Sequence, residues 1–226
     1  MNIKNLIKEW YYYPSLWKLW EVYKKLDKNL KEDYLKAISY LRLKTLKDSG
    51  VNTYWMVADL DYWNPVISWD ERSFSHSKED YLSFWKAMID QAKKIWWMSI
   101  YFKHFPWHGD WNVDTHNFVL EFWEQNKEYL EKNISLFNEL IEYGKGKWEK
   151  VWIMVGHMVM PNKYKKYIDN ILENANYILT DDLGMKWYKI AHKKKYNWKF
   201  LTTDYILSKN DPKVQIVNLH NTKSIL

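Results

Sequence analysis

The chain has 226 residues, a formal net charge of +6 and 47% apolar residues, which is enough for one domain with a sizeable core. It contains no cysteine, which excludes disulfide scaffolds and cysteine nucleophiles, and its apolar runs are much shorter than the roughly 20 residues of a membrane span. Its 32 lysines and two arginines are spread along the sequence rather than gathered in one segment, which argues against a nucleic-acid partner.

Stretches with helical spacing of apolar residues alternate along the chain with short apolar runs. This alternation is typical of β/α units around a parallel sheet, and it predicts a single α/β domain over residues 1–226. In chain order the predicted elements are helix 31–47, strand 53–60, helix 78–94, strand 98–102, helix 119–143, strand 150–155, helix 163–174, strand 176–180 and two weaker strands at 203–207 and 214–217.

Polar and titratable residues follow the predicted strands where each strand ends. A β/α barrel places its catalytic groups at this edge, and a doubly wound sheet also binds ligands there. Both architectures are therefore open at this point. The residues are Asp59 and Asp61 at the end of the first strand, Lys103 and His104 after the second, His157 after the third, and Asp181 and Asp182 after the fourth.

The densest group of chemically active side chains lies in residues 103–116, KHFPWHGDWNVDTH. Asp114 and His116 are close enough for the carboxylate to bind one ring nitrogen and leave the other for proton transfer. A rival interpretation makes His104, His108 and His116 ligands of a divalent metal. Pro106 argues against a helix that would align the first two histidines.

The tryptophans are unusual in number and position. There are 16 tryptophans and six glycines, and Trp69, Trp111, Trp148 and Trp198 stand in polar turn contexts where glycine is expected. We hypothesise that the source organism reads the opal codon as glycine and that the sequence was translated with opal as tryptophan. The alternative is an aromatic-rich surface for carbohydrate or lipid.

With glycine in place of Trp107, residues 103–110 read KHFPGHGD and are followed by NVDTH. This string resembles the signature of glycoside hydrolase family 3 β-N-acetylhexosaminidases. Segments 64–75 and 180–187 resemble two further motifs of that family, and segments 51–59 and 153–157 resemble two of its strands. The resemblance covers residues 50–187 and places Trp107 and Trp187 where the family has small residues.

The resemblance implies a (β/α)8 TIM-type barrel that is incomplete at its N-terminus, because the upstream D-x-E-G-G-R segment of the family is missing from the chain. It implies a retaining glycosidase without metal or cofactor. The substrate would be a saccharide or muropeptide ending in β-N-acetylglucosamine. The implied roles are Asp181 as nucleophile, His116 as acid/base oriented by Asp114, and Arg72, Lys103, His104 and His157 as sugar-binding residues.

Three rival functions remain. The first is the metal-dependent hydrolase, the second a non-catalytic carbohydrate-binding protein, and the third a member of the same family that uses phosphate as acceptor. The charged start lacks a signal-peptide pattern, which favours the cytoplasm. If Trp107 is real, we expect weak activity or none, which Trp107→Gly alone would not restore.

Overall fold

The structure is a computed structural model that describes residues 15–51, 53–60, 67–68, 71–95, 98–108, 127–147, 151–156, 163–164, 168–169, 171, 178–180, 200–202 and 214–217. The elements in chain order are α1 (Leu16–Tyr23), α2 (Lys28–Asp48), β1 (Thr53–Val57), α3 (Lys78–Lys94), β2 (Ser99–Phe105), α4 (Lys127–Lys147), β3 (Val151–Val155), β4 (Ile178–Thr180), β5 (Phe200–Thr202) and β6 (Val214–Val217).

The six strands form one parallel sheet in the order β1-β2-β3-β4-β5-β6. In a doubly wound sheet the strand order reverses at a switch point, whereas here it follows the chain throughout. Val57 of β1 is in register with Lys103 of β2, and Lys103 with Met154 of β3. The predicted α/β architecture with a parallel sheet is therefore confirmed.

Local sequence signals set the bounds of α3. The Ser77 side chain accepts a hydrogen bond from the backbone N–H of Asp80 at 3.3 Å, which caps the first turn. Acidic residues lie in the first turn and basic residues in the last, the arrangement that the helix dipole favours. The helix accordingly begins at residue 78 and ends at residue 94, as predicted.

The core lies between the helices and one face of the sheet. Leu130, Ile134, Phe137 and Ile141 repeat at helical spacing on α4, and all four are buried. Ile100 and Phe102 of β2 belong to the same cluster. Between them Tyr101 points to the opposite face of the sheet, where it packs with Met154 and Trp55. The sheet therefore has a helix-covered face and a second face with its own apolar cluster.

Most predicted elements agree with the structure within a few residues. Strand 214–217 is confirmed, helix 31–47 is extended to 28–48, and strand 53–60 is shortened to 53–57. Strands 150–155 and 176–180 are confirmed over the described residues 151–155 and 178–180. Helix 119–143 is described only from residue 127, and it continues to 147. Residues 163, 164, 168, 169 and 171 are helical, as predicted for 163–174. The weaker strand 203–207 falls outside the described residues, and strand β5 lies just before it.

One boundary needs correction, because strand β2 continues to Phe105 rather than ending at residue 102. Lys103 and His104 are therefore part of the strand, not of the loop after it. The strand is buried along its whole length. Lys103 pairs with Val57 and Met154, and His104 lies at an irregularity of the β2–β3 pairing between Lys103 and Phe105. The Lys103–His104 and Phe105–Pro106 peptide bonds are cis. Among the described helices, none is sufficiently long and apolar to cross a bilayer.

Candidate active site

Asp59 is the centre of a buried polar cluster at the carboxyl ends of β1 and β2. It lies two residues beyond the end of β1, and only 1% of its surface is exposed. The backbone N–H of Ala58 donates to the carbonyl of Lys103 at 2.7 Å and continues the β1–β2 pairing to this point. The carboxylate is thus carried to the edge where β/α proteins bind their ligands.

The two carboxylate oxygens of Asp59 bind the end of β2 and the residues just after it. Oδ2 accepts the backbone N–H of His104 at 3.0 Å and lies 2.8 Å from the Nδ1 atom of the same residue. Oδ1 accepts the backbone N–H of His108 at 2.8 Å. The two imidazole rings meet edge to face with centroids 4.6 Å apart. The Asp59 side chain therefore binds the His104 ring and the backbone N–H groups at both ends of segment 104–108.

The pKa of the Asp59 carboxyl is lowered by this arrangement. Burial by itself raises the pKa of a carboxyl. At Asp59 the positive potential of His104, its hydrogen bonds and the potential of His108 outweigh burial and bring the pKa below the ordinary value of 3.8. The carboxylate is therefore charged at neutral pH, and its charge is paired inside the protein.

A second layer of hydrogen bonds fixes the main chain around Asp59. The Tyr81 hydroxyl donates to the Asp59 carbonyl at 2.7 Å, accepts the backbone N–H of Phe74 at 2.9 Å and lies 2.7 Å from the Ser73 hydroxyl. The Leu60 backbone N–H donates to the Asn133 side chain of α4 at 2.9 Å. The loop after β1 is thereby tied to α3 and α4, so the backbone that carries Asp59 is held in place.

Lys103 lies on the sheet face opposite the helices. It is two residues beyond Tyr101 on β2, so both side chains point to the same face. Its Nζ atom lies 5.2 Å from the centre of the Trp55 ring, within the range of a cation–π contact. Lys103 is 8% exposed. Lys103 is therefore a buried lysine on the second face of the sheet, and it directly precedes His104 in the chain.

The end of β3 closes the cluster from its other side. The Gly156 backbone N–H donates to the Phe105 carbonyl at 2.7 Å. A Cβ atom at Gly156 would lie 3.0 Å from the Cβ atom of His104 and 3.3 Å from the carbonyl oxygen of His104. This approach is too close for most side chains, so glycine lets the end of β3 pack directly on His104.

Arg72 and Trp107 lie beside this cluster. The Arg72 backbone N–H donates to the Ile67 carbonyl at 2.9 Å, and the next residue, Ser73, belongs to the Tyr81 network. Trp107 is 3% exposed, and it belongs to the main core, with its ring 6.4 Å from that of Tyr129. The indole that was expected beside Lys103 and His104 therefore packs toward α4.

The structure describes three of the predicted site residues: Lys103 and His104, which are consecutive on β2, and Arg72, whose neighbour Ser73 contacts the Tyr81 hydroxyl. The other four lie outside the described residues. They are Asp114, His116, His157 and Asp181. The rival metal site is tested only in part, because His116 is also outside. In the portion of the chain that the structure describes, no three His, Asp or Glu side chains form a group that could hold a metal ion.

Sequence reasoning did not place Asp59 or Tyr81 among the site residues. Asp59 carried one signal, its position at the end of a predicted strand. Its partners His104 and His108 lie 45 and 49 residues away, and no local pattern pairs them. Tyr81 carried no signal, because an aromatic residue on an amphipathic helix is ordinarily a core residue.

The fold and this cluster define an α/β protein with a parallel sheet and a buried group of charged residues at the carboxyl edge of its strands. Three solved structures share the fold. Native NagZ from Neisseria gonorrhoeae superposes with a TM-score of 0.68 and 20% identity, covering 93% of this chain and 64% of NagZ. The same enzyme in complex with N-trifluoroacetyl-D-glucosamine gives a TM-score of 0.65, 19% identity and coverages of 93% and 65%.

The third structure is a family 3 glycosyl hydrolase from Mycobacterium smegmatis, with a TM-score of 0.56, 20% identity and coverages of 76% and 54%. No protein-family model matches the sequence, and neither does any curated protein. This chain spans between about half and two thirds of the structures that it resembles. The superpositions establish that the chain shares the fold of family 3 glycoside hydrolases.

Proposed function

We propose that the chain is a single catalytic domain of a family 3 glycoside hydrolase, built on the plan of an eight-stranded β/α barrel. The strand order, which follows the chain through six parallel strands, supports a barrel over a doubly wound sheet. The shared fold supports the family. The activity proposed is hydrolysis of terminal β-N-acetylglucosamine from a saccharide or muropeptide, with retention of configuration.

The observation that carries this proposal is the buried pairing of Asp59 with His104 beside Lys103 at the carboxyl edge. Buried charges are costly unless they are paired, so a protein retains them at an edge like this chiefly where they bind a ligand. With Nδ1 of His104 against Asp59, Nε2 is the ring atom that would bind a sugar hydroxyl. Lys103 would donate to a neighbouring hydroxyl, and Arg72 and His157 would complete the sugar site.

The chemical steps belong to residues matched through the motifs. Asp181 would attack the anomeric carbon and form a glycosyl-enzyme, while His116 protonates the leaving oxygen. His116 would then take a proton from the attacking water. Because an ordinary histidine titrates near pH ~6.5, it exchanges these roles near neutral pH, and the charge of Asp114 stabilises its protonated form.

The sugar class is supported by the similar NagZ structure, which was determined with N-trifluoroacetyl-D-glucosamine. We propose the cytoplasm as the site of action, and cell fractionation with an antibody against the chain tests this.

The activity is tested with protein isolated from its native source and 4-nitrophenyl N-acetyl-β-glucosaminide. We expect release of 4-nitrophenol, with the β-anomer of the sugar formed first as seen by proton NMR. In recombinant protein of the native composition, His116→Gln should lower kcat by about 10²- to 10⁴-fold, the usual contribution of a general acid/base. Asp181→Asn should abolish turnover, whereas the adjacent Asp182→Asn serves as the matched control and should retain it.

The same assay separates the rival functions. Loss of activity with a chelator would favour the metal-dependent hydrolase. A rate that depends on phosphate would indicate a phosphorylase, and sugar binding that survives Asp181→Asn without turnover would indicate a binding protein. Formation of the α-anomer as the first product would exclude the retaining mechanism.

The hypothesis that the source organism reads opal codons as glycine is part of this proposal, and the packing of the tryptophans indicates which positions test it. Trp85 is fully buried in α3, with its ring 4.4 Å from that of Phe84 and 6.0 Å from that of Tyr81. Emptying such a site costs about 3–5 kcal/mol, so we expect an indole at position 85 even in the native protein. Mass spectrometry of native peptides should find glycine at 69, 111, 148 and 198, and also at 107, where the family motif has glycine although the indole is buried like that of Trp85. Indole at all of these positions would end the hypothesis.

A further inference from the structure

A groove of about 980 Å³ lies between α2 and α3 and reaches the end of α4. Half of the residues along it are lysines, although lysine makes up about one residue in seven of the chain. They are Lys28, Lys31 and Lys36 of α2, Lys86, Lys93 and Lys94 of α3, and Lys147 of α4. We call this surface the lysine groove.

The lysine groove carries a net positive charge close to that of the whole chain. Its acidic residues are Glu32 and Asp90, so the seven lysines leave five positive charges there, against +6 for the whole chain. Glu32 already pairs with Lys36 at 2.6 Å. Because a concave surface of one sign focuses the electric field, the groove attracts anions more strongly than the same lysines would if they were scattered.

Tyrosine rings hold several of these ammonium groups in defined positions. Lys31 lies with its Nζ atom 4.6 Å from the centre of the Tyr23 ring. Lys86 and Lys147 come from different helices, and their Nζ atoms lie 5.3 and 5.4 Å from the centre of the same Tyr143 ring. Two ammonium groups on one ring repel each other, and a bound anion between them would relieve that repulsion.

Tyr143 is suited to this role. Its hydroxyl donates to the Oδ2 atom of Asp90 at 2.9 Å. Burial and this hydrogen bond raise the pKa of Tyr143 to about 12, so the hydroxyl keeps its proton at any ordinary pH. The ring therefore remains a neutral support for both lysines while Asp90 is occupied with the hydroxyl.

We propose that the lysine groove binds the backbone of a phosphodiester polymer without reading its sequence. An acidic protein is a poorer fit, because lysine is depleted from protein interfaces and the groove offers few apolar anchors besides Leu35 and Ala87. A flat anionic membrane is poorer still, since the charges line the walls of a cleft. No arginine lines the groove, so the lysines act as point charges on phosphates rather than as bidentate forks.

The lysine groove is separate from the Asp59 cluster. Lys93 and Lys94 end α3 shortly before β2 begins, so they lie at the amino-terminal edge of the sheet. Asp59 lies beyond the end of β1, at the carboxyl edge. A polymer in the groove would therefore leave the proposed sugar site open. The polymer that fits is a base-free one, a glycerol phosphate polymer: a single-stranded nucleic acid also has phosphodiesters, but its bases need aromatic platforms, and the Tyr23 and Tyr143 rings already carry lysine ammonium groups.

The test is a fluorescence anisotropy titration of the full chain with a labelled deoxythymidylate oligomer and, separately, a labelled glycerol phosphate oligomer. Both oligomers carry about 20 phosphates, and salt is varied from about 50 to 300 mM because phosphate contacts make affinity salt-dependent. We expect the logarithm of the binding constant to fall linearly with the logarithm of salt, by about 0.7 for each phosphate contacted on a single strand. Lys93→Gln with Lys94→Gln should reduce that slope by about 1.4.

The matched control is Lys25→Gln with Lys127→Gln, two exposed lysines outside the groove that change the net charge by the same amount. Equal weakening by both double variants would overturn the groove as the site, as would the absence of binding to either oligomer. Tighter binding of polyglutamate or of phosphatidylglycerol vesicles than of both oligomers would overturn the proposal that the ligand is a phosphodiester polymer. Tighter binding of the glycerol phosphate oligomer supports the proposal, whereas tighter binding of the deoxythymidylate oligomer would assign the groove to a single-stranded nucleic acid and overturn it. Lys28→Gln with Lys36→Gln repeats the test if the first variant does not fold.

Discussion

The Asp59 cluster and the lysine groove manage charge in opposite ways. In the cluster, the Asp59 carboxylate is 1% exposed, and both oxygens are bound to His104 or His108. In the groove, ammonium groups lie on exposed or half-buried side chains, and positive charges outnumber negative ones. The cluster is therefore a rigid, internally paired site, whereas the groove is an unbalanced surface whose charge attracts a partner from solution.

The comparison separates two kinds of functional site. Pairing buried charges fixes geometry, which suits the orientation of a small substrate. Unpaired surface charge attracts ligands over a longer range, but salt screens it. Mutations in the cluster should therefore affect stability strongly and respond to pH, whereas mutations in the groove should affect stability little and respond to salt.

The largest effect is expected from Asp59→Asn. An amide would place an N–H group against a backbone N–H of His104 or His108 and remove the charge that pairs with the imidazoles. We expect the free energy of unfolding to fall by about 3–5 kcal/mol, as for other broken buried pairs. Asp90→Asn, at a half-buried residue that accepts from Tyr143, is the control and should cost about 1 kcal/mol. Equal losses in urea denaturation would contradict the comparison.

Tyr81→Phe should have the next largest effect. Its hydroxyl contacts the Asp59 carbonyl, the Phe74 N–H and the Ser73 hydroxyl, and all three would lose a partner inside the protein. The expected loss is about 2 kcal/mol. Tyr143→Phe removes the hydroxyl at the groove, where water can replace it at Asp90, and should cost less than half as much. A larger loss for Tyr143→Phe would show that the groove, not the cluster, contains the more rigid network.

Acid should reduce the contribution of Asp59 to the free energy of unfolding and should leave the effect of the groove lysines unchanged. The pKa of Asp59 is lower in the folded chain than its ordinary value of 3.8, so the folded state binds fewer protons at this carboxyl. Its contribution to stability is complete above pH 3.8 and is lost as the pH falls through the folded value. The stability difference between the parent chain and Asp59→Asn should therefore shrink from pH 7 to pH 3. Lys93→Gln with Lys94→Gln changes no carboxyl group, so the stability difference that it produces should stay constant over this range.

The smallest effect is expected from salt on the unliganded groove. Removing Lys28, a groove lysine in the first turn of α2, relieves repulsion from the other lysines and from the positive end of the helix dipole, so Lys28→Gln should raise the free energy of unfolding by a few tenths of a kcal/mol, about the size of exposed charge effects. The gain should disappear near 1 M salt, where charges are screened beyond about 3 Å. Urea denaturation at low and high salt measures it, and a gain that persists at high salt would have a cause other than charge.

Local patterns predicted the elements well where a single period dominates. Helix α3 and strand β6 have the predicted bounds, because capping residues and β-branched residues act within a few positions. Strand β2 was predicted too short, because Lys103 and His104 look like the end of an apolar run. Pairing with both neighbouring strands keeps a polar residue such as Lys103 in the strand, and the sequence of one strand alone does not show that pairing.

Part of the candidate site was also predictable. The motif at residues 103–108 indicated Lys103 and His104, and the motif at 70–75 indicated Arg72. The hydrogen bonds of Asp59 to His104 and His108 could not be predicted, since an aspartate after a strand has many possible partners. Asp114, His116, His157 and Asp181 remain predictions for the assays proposed above.

The sequence by itself determined the alternation of helices and strands, the exclusion of cysteine chemistry and the motifs that indicate a sugar site, because each depends on residues close together in the chain. Only the tertiary structure decided which carboxylate holds His104 and that seven lysines from three helices form one groove. Those lysines extend from residue 28 to residue 147 and look scattered along the chain. Helix packing brings their side chains to one surface, and electrostatic potential depends on distance in space rather than along the sequence.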